Sequence, residues 1–183
     1  MKNKLYFTLT LLAIAVSAFA QNSIIDVGLE VQAYPTGIIS GVRFEKSLNK
    51  RDLWTVRLGY QLINHGNQGK HDDEKGSGFG GTAGFKHYFE RYFIGPNLGA
   101  REDFWRNNID WTTNADTGTI KGNSEIQVVQ PTIEFGWGFL VGEDFVLTPA
   151  AAFGFEINVR TAGEETGEGA ILLVGITGAY RLQ

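Results

Sequence analysis

The chain contains no cysteine, four prolines and three histidines in 183 residues, and beyond residue 20 no apolar run that approaches a membrane helix in length. Each absence removes a class of answers. Without cysteine there is no disulfide framework, no thiolate metal site, no thiol nucleophile and no lipid-bearing cysteine at a processed N-terminus. Positive charge is not in excess either: 16 Lys and Arg stand against 20 Asp and Glu. That mildly acidic balance argues against nucleic acid as a partner. The missing apolar run excludes helical membrane spans after residue 20. It leaves a β-barrel open, because a barrel's membrane signal is an alternation rather than a run.

What is present begins at the N-terminus. Lys2 and Lys4 precede an apolar stretch from Leu5 to Val16, and Ala18-Phe19-Ala20 supplies an A-x-A cleavage pattern. The stretch is shorter than the ~20 residues a membrane helix needs, so residues 1–20 read as a secretory signal cut before Gln21. Cutting there takes the formal charge from −4 to −6. Residues 21–183 then read as one domain, with no linker, tandem repeat or helical period.

The dominant pattern is a period of two, which only a strand converts into one apolar and one polar face. Ile25, Val27, Leu29, Val31 and Ala33 alternate with Asp26, Gly28, Glu30 and Gln32. Similar alternation predicts strands over 24–34, 37–48, 53–64, 78–89, 92–105, 126–140, 145–160 and 170–182. Each is long enough to cross a bilayer when tilted, since about 9–11 residues suffice. The connections alternate as well. Short ones at 49–52, 90–91 and 142–144 take turns with long ones at 65–77, 106–125 and 161–169, the 35–37 turn being short on the long-loop side. That is the layout of an up-and-down transmembrane barrel with an even strand number.

Volume decides which face is inside. One face carries Glu30, Arg43, Glu45, Arg57, Lys86, Arg101, Glu134, Glu156 and Arg181 among many glycines; the other is almost wholly aliphatic and aromatic. An eight-stranded barrel has an interior just wide enough for side chains. The aromatic face would overfill it, whereas inward glycines leave room for Arg and Glu. Buried charges need partners, so Glu30, Glu134 and Glu156 are expected to pair with Arg43, Arg57, Arg101 or Arg181 and to plug the lumen. Trp54, Tyr92, Trp137, Phe139 and Tyr180 gather near the short-turn rim as an interfacial girdle. Tyr60, Phe79, Phe104 and Trp105 form a sparser girdle opposite. Pro96, Pro131 and Pro149 lack the N–H a closed ladder requires and are expected at rims or bulges.

Signal, eight alternating strands, charged lumen and short turns at one rim resemble the small outer-membrane barrels of the outer membrane protein X family and the outer membrane protein A transmembrane family. The resemblance covers 24–182 and rests on pattern; the chain ends Tyr180-Arg-Leu182-Gln183, with no terminal Phe. It implies a location in the bacterial outer membrane. Contact with outer-membrane lipid and lipopolysaccharide, and insertion by the barrel-assembly machinery, follow from the same resemblance.

Chemistry is sparse. Some barrels of this size modify lipid A, but His87 has no Ser one or two positions away, so no catalytic residue is expected. The run His71-Asp72-Asp73-Glu74 does not alternate as a calcium loop does and reads as a solvated loop tip, with no metal or cofactor. Residues 106–125 read as a hairpin prolonging the fifth and sixth strands, whose edge suits an extracellular protein partner. The reading is a non-enzymatic structural or surface-interaction barrel. A narrow pore or small-ligand transporter is the alternative, ahead of a lipid A-modifying enzyme or a soluble lipocalin-like carrier.

Overall fold

The computed structural model describes residues 23–116 and 118–182; the expected signal segment lies outside them. Eight antiparallel strands close into a barrel in chain order: β1 (Ile25–Tyr34), β2 (Gly37–Ser47), β3 (Asp52–Gly66), β4 (Asp73–Tyr88), β5 (Gly95–Ala115), β6 (Gly118–Val141), β7 (Phe145–Ala162) and β8 (Gly169–Leu182). β8 returns to β1, placing Arg181 opposite Asp26 and Thr177 opposite Glu30. Closure satisfies every strand with two neighbours, which an open sheet in an apolar solvent could not do.

Alternation sorts the side chains as expected, and exposure shows which way. Leu58, Phe79 and Phe135 are 71, 65 and 64% exposed, while Glu30, Arg57 and Glu134 are 2, 1 and 1% exposed. This inverts a water-soluble protein; the wall is built for hydrocarbon. Along β6 the outward positions stay apolar from Val129 to Phe139, about the span a tilted strand needs to cross a bilayer. Above that band β5 and β6 run on as a tall hairpin, paired to Ala115 and Gly118.

The interior has three tiers. Leu53, Tyr88 and Phe93 form an apolar floor, charged side chains fill the middle, and Tyr34, Ile39, Ile63, Trp105, Ile109 and Leu173 belong to an apolar ceiling. Trp105 was expected in the upper girdle but is 3% exposed and inside, sharing parity with Arg101. Its ring lies over Gly59 and Gly80, a registered pair. A Cβ at Gly80 would run into the Phe104 carbonyl and the indole.

The lower turns are compact. The Asn49 side-chain oxygen accepts from the N–H groups of Arg51 (2.8 Å) and Asp52 (2.9 Å), an Asx-type turn. The fifth strand, expected from residue 92, starts at Gly95 because a single 3₁₀ turn, Arg91–Phe93, intervenes. Tyr92 (φ 63°) and Phe93 (φ 60°) are left-handed there, at a cost on the order of 1–3 kcal/mol each. The conformation sends Phe93 under the barrel against Tyr88, ring centroids 5.6 Å apart, and turns the Tyr92 carbonyl toward Arg181 (3.1 Å).

The prolines need a correction. Pro96 is near the start of β5, but Pro131 and Pro149 lie inside β6 and β7 rather than at rims. Both spare the ladder on their other side, Pro131 facing Glu102 and Pro149 facing Ile176 in register. Their missing N–H groups fall in the β6–β7 seam. Pairing there stops between Val129–Ile157 and Thr132–Gly154, and again between Gly136–Ala150 and Phe139–Leu147. The only shift in that seam's register is elsewhere, at Gln127–Val128.

Candidate functional site

The middle tier brings together residues from β1 to β6. Four cations, Arg43, Arg57, Lys86 and Arg101, meet four carboxylates, Glu30, Glu45, Asp103 and Glu134. Glu30 is the hub: it takes Arg57 Nη1 at 2.6 Å, Arg101 Nη1 at 3.3 Å, and Arg43. Glu134 receives Arg101 Nη1 at 2.7 Å, Lys86 Nζ at 3.2 Å and Arg43 Nη2 at 3.6 Å. Glu45 joins Arg43 Nε (2.9 Å) to Lys86 Nζ (3.2 Å). Neutral groups complete the shell, Gln32 Oε1 accepting from Arg57 (2.8 Å) and Arg101 (2.9 Å). Near the floor Arg181 grips Asp26 through two bonds of 3.0 Å.

The period of two therefore brings seven of the nine expected lumen residues into one network. Arg181 pairs apart from it, with Asp26 rather than with an expected glutamate, and the remaining residue is Glu156. It lies higher, opposite Gly169 where β8 begins, and lines a cavity of about 250 Å³ at the mouth with Tyr34, His65 and Glu168. No arginine reaches it in any ion pair of the described residues, because the cations are seated lower. Asp103, absent from the sequence-based set, binds Arg57 Nη2 at 2.7 Å and accepts from Thr82. Its parity with Arg101 was the available signal.

The outer mouth holds a second constellation. Glu74 was read as part of a solvated tip, yet it is completely buried. Its carboxylate collects His65 Nδ1 at 2.7 Å, His71 Nδ1 at 3.0 Å, and the backbone N–H groups of Lys70 (2.8 Å), His71 (3.1 Å) and Gly167 (3.3 Å). It sits above the lipid-facing band. Burial opposes its charge, but the bonds from His65, His71 and the backbone outweigh that and hold its pKa at about 2. One side chain thus ties the β3–β4 loop to the β7–β8 loop. Trp111 stacks on His71 with centroids 4.3 Å apart and donates to Ser124 Oγ (3.1 Å), which donates to the Glu164 carbonyl (2.6 Å). The tall hairpin is thereby bound into the same cover.

The girdle residues face outward at the lower rim. Trp54 lies against Phe44 (5.4 Å), Trp137 stacks on Phe139 (6.2 Å), Tyr180 donates to Asp144 (3.1 Å), and Tyr92 is half exposed. His87 meets Asp52 at 2.6 Å on that rim. Among the described residues no group of three or more His, Asp or Glu side chains could hold a metal ion. On the outer wall there is one feature the sequence reading passed over. Glu102, between inward Arg101 and inward Asp103, faces outward.

No protein-family model matches the chain, and no curated protein does. Among solved structures it is similar to Neisserial surface protein A, with a TM-score of 0.60 and 10% identity over 88% of this chain and 98% of that one. CarO of Acinetobacter baumannii gives 0.47 with 12% identity over 85% and 97%. The N-terminal β-barrel domain of Pseudomonas aeruginosa OprF gives 0.46 with 13% identity over 87% and 98%. At these identities the likeness to the first is one of fold: the chain has the fold of an eight-stranded outer-membrane barrel.

Proposed function

We propose that the chain is a non-enzymatic barrel of the bacterial outer membrane, plugged by its own side chains and acting at the cell surface through its outer loops and the tall β5–β6 hairpin. One observation carries the reading: the lumen is filled at three successive heights, by apolar floor, charge network and apolar ceiling. A charged layer closed at both ends by packed side chains suits a scaffold better than a conduit. Supporting a structural rather than catalytic role, each histidine Nδ1 faces a carboxylate that ties a loop or turn, Glu74 for His65 and His71 and Asp52 for His87.

On this reading the apolar wall meets outer-membrane lipid and lipopolysaccharide, and the barrel-assembly machinery inserts it. The surface for a protein partner is the upper edge of β6. Its pairing with β7 ends at Glu125–Ala162, whereas β6 continues upward to Gly118. Such an edge accepts an added strand. Purified protein in planar bilayers tests the plug: only brief, small current events are expected, and a steady, large conductance would overturn it.

A further inference from the structure

We infer that the outer wall carries a selective lipid site at Glu102, which takes an outer-leaflet amphiphile bearing a hydroxyl or amide N–H just beneath its head group. The inference rests on the membrane reading above. Ala83, Glu102 and Pro131 form one row across β4, β5 and β6. They line a depression of about 780 Å³ with Ala100, Phe85 and Phe155. Small side chains in that row give the wall a hollow between large aromatics.

The carboxyl in this hollow lies within the apolar band, one outward position below Phe104 and two below Arg106, the first polar residue above it on β5. Its Oε1 is shielded from solvent and has no hydrogen-bond partner among the described residues. An ionisable group left so in hydrocarbon is expensive and marks a functional site by default. Charged or protonated, a carboxyl keeps an acceptor oxygen, so an occupant that brings a donor satisfies it in either state, whereas one that brings only acceptors can meet the protonated form alone. Pro131, its neighbour across the β5–β6 ladder, has no N–H to give.

Volume and depth identify the occupant. A hollow of this size falls in the ~300–1,000 Å³ range of small-ligand sites, suited to part of one amphiphile rather than a protein surface. Ester-linked glycerophospholipids present only acceptor carbonyls at this depth. An amide-linked 3-hydroxyacyl chain presents both N–H and O–H there, while its tail lies along the aromatics.

The test uses the full chain folded in phosphatidylcholine nanodiscs containing lipid A as minor component, with retained lipid counted by native mass spectrometry. Wild type should retain lipid A about tenfold above its bulk proportion, the scale of one or two hydrogen bonds. Glu102→Leu should fall to the bulk proportion, Glu102→Gln should keep most of the enrichment, and Ala100→Phe should lose it by filling the hollow. The electrophoretic shift between folded and heat-unfolded barrel verifies folding of each variant. A folded wild type with no enrichment, or undiminished enrichment in folded Glu102→Leu, would overturn the site alone. A chain that stays dispersed in water without detergent or lipid would overturn the membrane reading and the site together.

Discussion

Glu134 and Glu102 stand three register steps apart on the same pair of strands, Glu134 opposite Gly99 and Glu102 opposite Pro131, and on opposite faces of one wall. The inner glutamate has three cations within 3.6 Å; the outer one is in no ion pair among the described residues, and its Oε1 has no hydrogen-bond partner there either. One residue type in one ladder is thus a keystone on one face and an unmet demand on the other. The difference teaches that position along a strand says little about a carboxylate's energy until its face is known.

Substitution should separate the two by sign. Removing Glu134 (Glu134→Ala) strands cations that remain buried, and is expected to cost roughly 3–5 kcal/mol, read from guanidinium unfolding of the inserted barrel. A loss below about 1 kcal/mol would mean that the lumen rehydrates and the comparison dissolves.

Glu74 asks whether a rim carboxylate belongs with the first kind. Glu74→Ala should lower the opening free energy of residues 66–72 and 164–168 by about 2–3 kcal/mol, read as hydrogen exchange. The pH dependence has a definite sign. The folded pKa, about 2, lies below the ordinary 4.5, so this stabilisation is complete above pH 4.5 and is lost as pH falls toward 2. Loop protection in wild type should fall across that window, and in Glu74→Ala this dependence should vanish.

Glu102→Leu should move the other way, stabilising the barrel by about 1–2 kcal/mol in phosphatidylcholine, since acidic groups on a lipid face are unfavourable. The smallest effect belongs to Tyr180→Phe. Its bond to Asp144 is exposed, and its loss should change stability by less than about 0.5 kcal/mol.

The faces of the wall were legible because a strand's alternation carries them. Ile25 to Ala33 already separates lipid from lumen, and the inward charges then find one another because a narrow bore leaves them nowhere else. Height was the hidden coordinate. Glu156 has the right parity but stands above every arginine of the middle tier. Ile39, Ile63, Ile109 and Leu173 share inward parity with the charges but stand at a height where loops exclude water, so they pack as a ceiling. Glu74 does not show its burial in its local sequence because its partners come from apart, His65 from the upper end of β3 and Gly167 from the β7–β8 loop. Glu102 was readable in Arg101-Glu102-Asp103, where two inward residues require the middle one to point out.

Glu30 has a consequence for how the chain reaches this state. It belongs to β1, and the arginines that neutralise it come from β2, β3 and β5, while its neighbour Thr177 waits on β8. The Thr177 contact joins the two ends of the chain and the Arg101 contact bridges β1 to β5, so their loop-closure entropy is spent before they give anything back. Until the β1–β8 seam shuts, the lumen stays open to water, which weakens the attraction between Glu30 and its arginines. Interactions that form so late are expected to act on the rate of opening rather than of closing, making the network a latch on an assembled barrel rather than a guide to its assembly.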